Sequence, residues 1–494
     1  MAEQKKEIGR FFKHSYIYAI GNVINRIGAF LLLPVYTNYL TTTEYGALEM
    51  LYSVSAVISG FLSIGLAHAT LRFYFEYGDD KNRNAVISTN YIAALILCLL
   101  GVALVGVWHR ELSVLVFSSA DYANGILIIL GTLAFELSSQ ICLAYVRAIE
   151  RSLFFVYIAI VQLLIQVSIN IYLVIYANQG VLGILLGNFI AVFVGWLILT
   201  VFTLTRCKLA FHFHKLTVIL KYSLPFVLGT VTSLVSSNVD KFGLNYMDAL
   251  GAVGIYMLAM KFSMVIEQLI GEPFSRSYGS FRFSIMKNDN AAAIQGDIVK
   301  YLFYVTVFVA LGISLFINDL LRMISAAEFW PASEIVPIIM IASIIKIINY
   351  PLQTGILYAK KTKYFFYFGV ISAIISTIGN LSLIPIIGIY GACLTLIVTN
   401  LVSLLLMHRQ SQKFFFVRYD LKRLMLCLLF ASVIYLLSLP VGEHEFYIRV
   451  PLKIILVLSF MFAMLKSNWF LDLSEREKIN QFWRIKIMRK TAKE

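Results

Sequence analysis

The chain has 494 residues, of which 60% are hydrophobic and only 14% are charged, and its mean hydropathy is +0.81. About a quarter of the residues in a soluble domain are charged, so this composition excludes an ordinary soluble protein. The net charge of +14 does not indicate nucleic-acid binding, because the basic residues are concentrated in alternate connections between apolar segments. The five cysteines form no CxxC or Cys/His cluster, so we expect neither a metal site nor a disulfide framework.

Apolar segments of about 20 residues recur along the chain, which is the length of a helix that crosses roughly 30 Å of hydrocarbon. We therefore predict an all-α, polytopic membrane protein with 14 transmembrane helices. The predicted helices cover residues 15–37, 46–68, 86–107, 123–145, 153–176, 181–203, 222–247, 251–272, 299–320, 335–358, 365–384, 388–407, 423–440 and 450–466. The first helix lacks a small-residue cleavage site and is interpreted as a retained helix rather than a signal peptide.

The positions of Lys and Arg predict the orientation of these helices. The N-terminal segment, the even-numbered connections and the C-terminal tail together hold 33 of the 41 Lys and Arg residues, whereas the odd-numbered connections hold 3. Basic residues accumulate on the cytoplasmic side of a membrane, so we expect both termini in the cytoplasm and the odd-numbered connections outside. These outer connections are short, which predicts no external domain. The basic tail is interpreted as an anchor at the anionic membrane surface.

The chain contains a weak internal repeat. A shift of 208 to 210 residues matches EYGALEML at 44–51 with AVGIYMLA at 252–259, which places Gly46 on Gly254. Two other short matches occur at nearly the same offset. We predict two pseudo-symmetric six-helix lobes, an arrangement found in transporters with a site between the halves. The predicted domains are the N-lobe at 1–210, the C-lobe at 211–415, two extra helices at 416–466 and the basic tail at 467–494.

Cationic residues lie near the middle of three predicted helices, where an ionisable group costs roughly 2.5 to 3.5 kcal/mol on membrane insertion. These residues are Arg26, Lys261 and Lys346. We expect them to line a water-filled cavity that binds an anionic group, because the planar fork of Arg and the point charge of Lys both suit phosphate. The alternative is that each cation pairs with a carboxylate, Glu136 or Glu267 for example, and only locks helices together.

Other polar side chains extend this expected cavity. Arg72 lies at its predicted inner mouth, and Asp240 precedes Lys241 near the outer end of helix 7. Three carboxylates are candidates for coupling transport to H⁺ or Na⁺, namely Glu136, Asp240 and Glu267. The amides expected to line the cavity are Asn22, Asn25, Gln140, Gln162, Gln166, Asn170, Asn349 and Gln353. Amides also form hydrogen bonds between membrane helices, and this is the alternative role for all of them.

Six segments of the chain carry distinctive motifs, and the most specific is YSLPFVLGTVTSLVSSNVDKFGLNYMDALGAVGIYMLAMK at 222–261. The others lie at 30–50, 65–76, 143–152, 328–344 and 380–400. These segments resemble the polysaccharide flippases of the multidrug/oligosaccharidyl-lipid/polysaccharide (MOP) exporter superfamily, the O-antigen translocases of the Wzx type. The resemblance implies two six-helix lobes around a cationic cavity, with a groove for the polyprenyl tail at the extra helix pair. The family usually has Arg where this chain has Lys241, which keeps the charge but removes the bidentate fork.

The sequence thus predicts a flippase of the bacterial inner membrane that works by alternating access. Its expected substrate is an undecaprenyl-diphosphate-linked oligosaccharide repeat unit for O-antigen or exopolysaccharide synthesis. The residues expected to bind the diphosphate are Arg26, Lys261, Lys346, Arg72 and Lys241. The expected partners are membrane lipids and the polysaccharide polymerase and chain-length machinery, with no cofactor besides a coupling ion and no nucleic acid.

Two other functions remain as alternatives. A cation-coupled multidrug exporter of the same superfamily is disfavoured because the residues at mid-membrane depth carry a net positive charge. A membrane-embedded glycan polymerase or ligase is disfavoured because the short outer connections leave little room for a catalytic site.

Overall fold

The computed structural model describes residues 30–63, 65–77, 79–207, 209–247, 249–286 and 290–467, with the single positions 17, 28, 288 and 470. Side chains are not described at 68, 222, 224–233, 235–236, 280 and 443. All regular secondary structure within these ranges is helical. The predicted all-α class is therefore confirmed.

The helices follow one another with short connections. The first nine are α1 (Leu33–Tyr39), α2 (Thr42–Leu62), α3 (Leu66–Glu76), α4 (Asp80–Val107), α5 (His109–Phe117), α6 (Ala123–Ala148), α7 (Ser152–Ile171), α8 (Gly180–Leu204) and α9 (Phe213–Tyr246). The next nine are α10 (Leu250–Ile266), α11 (Glu272–Ile285), α12 (Ala291–Ile324), α13 (Ala332–Leu352), α14 (Thr354–Tyr358), α15 (Lys363–Ile387), α16 (Ile389–Phe414), α17 (Leu421–Ser438) and α18 (Phe446–Lys466). Two π turns, Tyr172–Tyr176 and Glu267–Gly271, extend α7 and α10, and 3₁₀ turns lie at Ala327–Phe329 and Pro440–Glu443.

Twelve helical segments of the described chain are long and apolar enough to cross a membrane, by length and composition. They correspond to predicted helices 2 to 6 and 8 to 14, so the polytopic class is confirmed. Predicted helix 1 lies mostly outside the described residues. The segment predicted as helix 7 is helical within α9, which has 34 residues but is not one of the twelve. The number 14 therefore stays a prediction.

Short polar side chains cap the starts of three described helices, and the caps of α2 and α4 show the pattern. At the start of α2, Thr41 Oγ1 accepts a hydrogen bond from the Glu44 backbone N–H at 3.2 Å, and the Glu44 carboxylate accepts one from the Thr41 N–H at 2.8 Å. Asp79 similarly accepts from the Asn82 N–H at 3.0 Å at the start of α4. Hydrogen bonds from the Asn82 side chain and backbone hold the pKa of Asp79 below its usual range. These caps satisfy backbone groups that the first turn of a helix leaves unpaired.

The first compact unit contains the described residues up to Met257 together with Ile324–Phe329 and Ser376–Ala392. Within it, α6 packs against α4 and α8, and α8 also packs against α7. Its core includes Leu66, Phe73, Tyr91, Ile141, Ile158 and Leu199.

The second compact unit contains Leu258–Met323, Trp330–Ile375 and the described residues from Cys393 onward. In this unit α17 and α18 pack against each other. The lobe boundaries predicted from the repeat remain a prediction.

Candidate functional site

The second unit contains an ion pair between α13 and the π turn after α10. Lys346 Nζ donates to Glu267 Oε2 at 2.7 Å, and the Tyr350 hydroxyl donates to Glu267 Oε1 at 2.8 Å. The Lys346 side chain is 53% exposed and that of Glu267 is 22% exposed. A partly exposed ion pair of this kind contributes little to stability, so its charges remain able to exchange partners.

The π turn that carries Glu267 has a local cause. Pro273 follows it and lacks the N–H group that would otherwise bond to the carbonyl of Leu269. The Glu272 N–H instead bonds to the Glu267 carbonyl, five residues earlier. Single π turns within α-helices are frequent at functional sites.

The structure also describes three other residues that were predicted to bind phosphate. Lys241 Nζ donates to Asn238 Oδ1 at 3.0 Å. Arg72 Nε lies 4.0 Å from the Glu76 carboxylate, and both side chains are more than half exposed. Lys261 is half-buried on α10.

Asp240, one of the three carboxylates predicted to couple an ion, is buried within the first unit. It is 7% exposed and accepts a hydrogen bond from the Tyr256 hydroxyl at 2.6 Å. Its other oxygen accepts from the Lys241 backbone N–H at 2.9 Å. The side chain of Asp240 thus has polar neighbours from α9 and α10.

A mainly polar cavity of about 330 Å³ lies between α6, α7 and α8 of the first unit. Glu136, Gln162, Gln166 and Asn188 supply its polar side chains. At roughly 30 Å³ per water molecule, this volume holds about ten waters or part of a polar ligand. Of the predicted residues, the structure thus brings Glu136, Gln162 and Gln166 together, whereas Asn188 was not predicted.

Two other predicted amides form contacts between helices. Asn170 is fully buried, and its Nδ2 donates to the Tyr36 hydroxyl at 2.6 Å. Gly187 of α8 lies against the Asn170 amide, where a Cβ atom would collide with Oδ1. Asn349 Nδ2 donates to Ser403 Oγ at 3.2 Å between α13 and α16. These contacts are the kind that the alternative role as interhelical hydrogen-bonding groups predicts.

The remaining predicted residues are two half-buried amides and three residues whose positions are not described. Arg26, Asn22 and Asn25 lie outside the described residues. Gln140 and Gln353 are half-buried, the first on α6 and the second directly after α13.

An ion cluster of three residues connects α12 with α18 in the second unit. Arg449 Nη2 and Lys453 Nζ each lie 2.6 Å from an oxygen of Asp319. The side chains of Asp319, Arg449 and Lys453 are 6%, 11% and 5% exposed. Arg449 also donates to the Gly442 carbonyl at 3.1 Å. This cluster fixes the last predicted helix to α12.

An apolar groove runs along α17 of the second unit. It consists of two adjoining cavities of about 370 and 340 Å³ that share Ile341, Ile344 and Leu428. Its walls come from α12, α13, α16 and α17. Along α17 it extends from Leu421 to Leu436, a rise of about 22 Å at 1.5 Å per residue. A groove of this length and composition matches an extended hydrocarbon chain.

Sequence reasoning missed some of these groups for identifiable reasons. Tyr256 and Tyr350 are two of 28 tyrosines, and nothing in their spacing distinguishes them from packing residues. Asp319 did carry a signal, because it is a carboxylate within predicted helix 9, while Arg449 and Lys453 stand one turn apart at helix 14.

The fold and these sites define a polytopic α-helical membrane protein. Two solved structures have a similar fold, namely the lipid II flippase MurJ in an inward closed conformation and a multidrug resistance MATE family transporter of the MOP superfamily in an inward-facing conformation. The MurJ structure has a TM-score of 0.72 and 16% identity, covering 91% of this chain and 99% of that one. The MATE structure has a TM-score of 0.65 and 12% identity, covering 78% and 94%.

The chain belongs to the polysaccharide biosynthesis protein family, whose model matches residues 11–278. It is also similar to the Haemophilus influenzae "Lsg locus putative protein 1", with 22% identity over 262 residues. That match spans 52% of this chain and 62% of the relative. The family match confirms the resemblance to polysaccharide flippases of the MOP superfamily. The chain is accordingly a polysaccharide biosynthesis protein with the fold of these two solved structures.

Proposed function

We propose that this protein moves an undecaprenyl-diphosphate-linked oligosaccharide repeat unit from the cytoplasmic to the outer leaflet of a bacterial inner membrane by alternating access. Both termini would lie in the cytoplasm, and the product would pass to the polymerase and chain-length machinery of O-antigen or exopolysaccharide synthesis. The observation that carries this proposal is the apolar groove along α17, because a water-soluble substrate has no hydrocarbon chain that would fill such a groove.

The groove accounts for the lipid part of the substrate. Burial of hydrocarbon against side chains gains little over burial in lipid, so the groove would guide the tail rather than bind it tightly. Its walls include Leu424, Leu428 and Ile344, which are flexible or branched aliphatic side chains that can pack around a polyprenyl chain. The tail would therefore remain in an apolar environment while the head group crosses.

The cationic residues account for the diphosphate. Lys346 already binds one carboxylate, that of Glu267, at a half-exposed position. A diphosphate carries more negative charge than a carboxylate and would compete for the same ammonium group. Arg26, Lys261, Lys241 and Arg72 would add further positive charge to the path of the head group. When the diphosphate takes Lys346, Glu267 loses its cation and becomes able to bind H⁺ or Na⁺.

The polar cavity of the first unit would provide a second place for ion coupling. Glu136 shares this cavity with Gln162, Gln166 and Asn188, whose oxygen atoms suit a small cation or a protonated carboxylate. Uptake of H⁺ or Na⁺ at Glu136 would then supply energy for the return of the empty transporter. Asp240 is the third candidate for this role.

The test is to delete the gene in its host and to measure lipid-linked repeat units in the inner leaflet. The wild-type gene should reverse their accumulation, whereas a Lys346→Ala variant that is expressed and folded should not. Lys413→Ala serves as a control, because Lys413 is an exposed lysine at the end of α16. Normal surface glycan in the deletion strain, together with loss of resistance to lipophilic cations, would instead establish the multidrug exporter.

A further inference from the structure

The inward face of α18 is mostly cationic. Among the residues of this helix, all of which the structure describes, the buried ones are Arg449, Lys453 and Phe460, whereas Phe446 and Tyr447 at its start are exposed. A charged group within a membrane protein is costly, and such groups commonly bind a substrate, an ion or a lipid. Two cations among three buried residues therefore indicate a role beyond packing.

Asp319 balances only one of these two cations. Arg449 Nη2 and Lys453 Nζ each lie 2.6 Å from one of its oxygens, so the cluster contains two cations and one carboxylate. Among the described side chains, no second carboxylate forms an ion pair with Arg449 or Lys453. A buried charge without a counter-charge is strongly unfavourable. A buried cluster with an excess positive charge is therefore expected to attract an anion.

The guanidinium group of Arg449 also has hydrogen-bonding capacity left. Its Nη1 donates to the Gly442 carbonyl at 3.1 Å, whereas its buried Nε has no hydrogen-bond partner among the described residues. A buried donor without a partner costs free energy that an added acceptor would recover. The planar fork of Arg suits the oxygens of a phosphate group. The chemistry of the cluster thus favours a phosphate as the anion.

The position of the cluster indicates where such a phosphate comes from. Asp319 is five residues before the end of α12, and Arg449 is the fourth residue of α18. At 1.5 Å per residue, both lie within about 8 Å of a helix end on the side predicted to be outside. Tyr447 is 85% exposed, and exposed aromatic residues are enriched at the level of the lipid head groups. The phosphates found at this depth are those of lipids.

We propose that Arg449 and Lys453, positioned by Asp319, bind the phosphate of an anionic lipid at the outer ends of α12 and α18. Basic pockets between transmembrane helices are known sites for anionic head groups. The phosphate supplies the negative charge that Asp319 leaves unbalanced and strengthens the attachment of α18 to α12. This inference does not rest on the proposed function, because any anionic lipid of that leaflet can supply the phosphate.

Native mass spectrometry of the purified protein tests the site with three lipids. Phosphatidylglycerol or undecaprenyl diphosphate should remain bound after detergent removal and raise the unfolding temperature, whereas zwitterionic phosphatidylethanolamine should do neither. Retention of both anionic lipids would assign the site to anionic lipids in general, and retention of undecaprenyl diphosphate alone would assign it to the transported lipid. If neither is retained more firmly than phosphatidylethanolamine, the proposal is wrong. A failed flippase test in the deletion strain does not affect this result.

A matched pair of variants separates the site from general electrostatic attraction. Lys453→Met removes the excess charge and keeps the length of the side chain, so retention of the anionic lipid should fall about tenfold, the effect of one charge-assisted hydrogen bond. Arg322→Gln removes the same charge from an exposed position near the end of α12 and should change retention little. Unchanged retention in Lys453→Met, or an equal loss in both variants, would overturn the proposal.

Asp319→Asn gives a result that a purely structural cluster does not predict. The variant has a second unbalanced positive charge, so it should unfold at a lower temperature and yet retain the anionic lipid more firmly than the wild type. A cluster that only joins α12 to α18 would lose stability with no gain in lipid retention, and that outcome would contradict the proposal. If neither variant folds, the comparison of the three lipids on the wild-type protein still decides.

Discussion

The carboxylate of Glu267 lies 2.7 Å from the ammonium group of Lys346, although the residues are 79 positions apart in the chain. Glu267 is the first residue of the π turn before Pro273, so the ion pair with α13 lies at a local irregularity of the helix backbone. A cation that was expected to bind phosphate is thus already bound to an anion. The two roles are compatible if the carboxylate and the diphosphate compete for Lys346.

This competition predicts that substitution of Lys346 affects substrate binding much more than protein stability. Lys346→Ala should change the free energy of unfolding by no more than about 1 kcal/mol, because the pair is half exposed. The same variant should lose affinity for undecaprenyl diphosphate, whereas Glu267→Gln should gain affinity because the competing charge is gone. Binding to purified protein in detergent or nanodiscs measures both. Unchanged binding in Lys346→Ala would remove this lysine from the site.

The apolar groove predicts that bulk on one face of α17 blocks transport. Leu428 lines both cavities of the groove, whereas its neighbour Leu429 is 65% exposed. Leu428→Trp should fill the groove and reduce flipping of the lipid-linked repeat unit, and Leu429→Trp should have little effect. The deletion strain is complemented with each variant at equal expression, and the accumulation of lipid-linked repeat units is compared. Equal transport by the two variants would mean that the tail travels elsewhere.

The polar cavity of the first unit predicts a coupling defect. Glu136→Gln keeps the size of the side chain but removes its charge, so the variant should no longer respond to an imposed H⁺ or Na⁺ gradient in proteoliposomes. Binding of the diphosphate lipid should persist. Glu150→Gln is a suitable control, because Glu150 is exposed in the connection after α6. A normal gradient response in Glu136→Gln would move the coupling role to Asp240 or Glu267.

The ion cluster of α12 and α18 predicts a large loss of stability. Asp319→Ala would leave two buried cations without their carboxylate, which costs roughly 3 to 5 kcal/mol for a broken buried pair. The temperature of thermal unfolding in detergent should fall markedly in this variant. Glu76→Gln removes an exposed partner of Arg72 and should shift it little. An unchanged unfolding temperature in Asp319→Ala would mean that α18 is held mainly by its apolar contacts.

Much of the architecture could be read from the sequence, because the membrane imposes strong and local rules. Twelve of the predicted helices coincide with helical segments able to span a membrane, and the resemblance carried by residues 222–261 is confirmed by the family match. The arrangement of the site residues could be predicted only in part. Glu136 was predicted to couple an ion and Gln162 and Gln166 to line the cavity, but the sequence did not predict that these three residues share one cavity. The contribution of Asn188 depends on how α8 is rotated against α7.

The sequence by itself determined the class of protein, the helical segments, the expected orientation and the 208-residue offset between Gly46 and Gly254, because hydrophobic length, basic connections and repetition are properties of the chain. Only the tertiary structure decided which charges meet. In the structure Lys346 forms an ion pair with Glu267, and Asp319 forms ion pairs with Arg449 and Lys453. Asn245 donates a hydrogen bond to the Val116 carbonyl. Side-chain partners at such separations follow from helix rotation and packing, and these depend on the whole fold rather than on any local pattern.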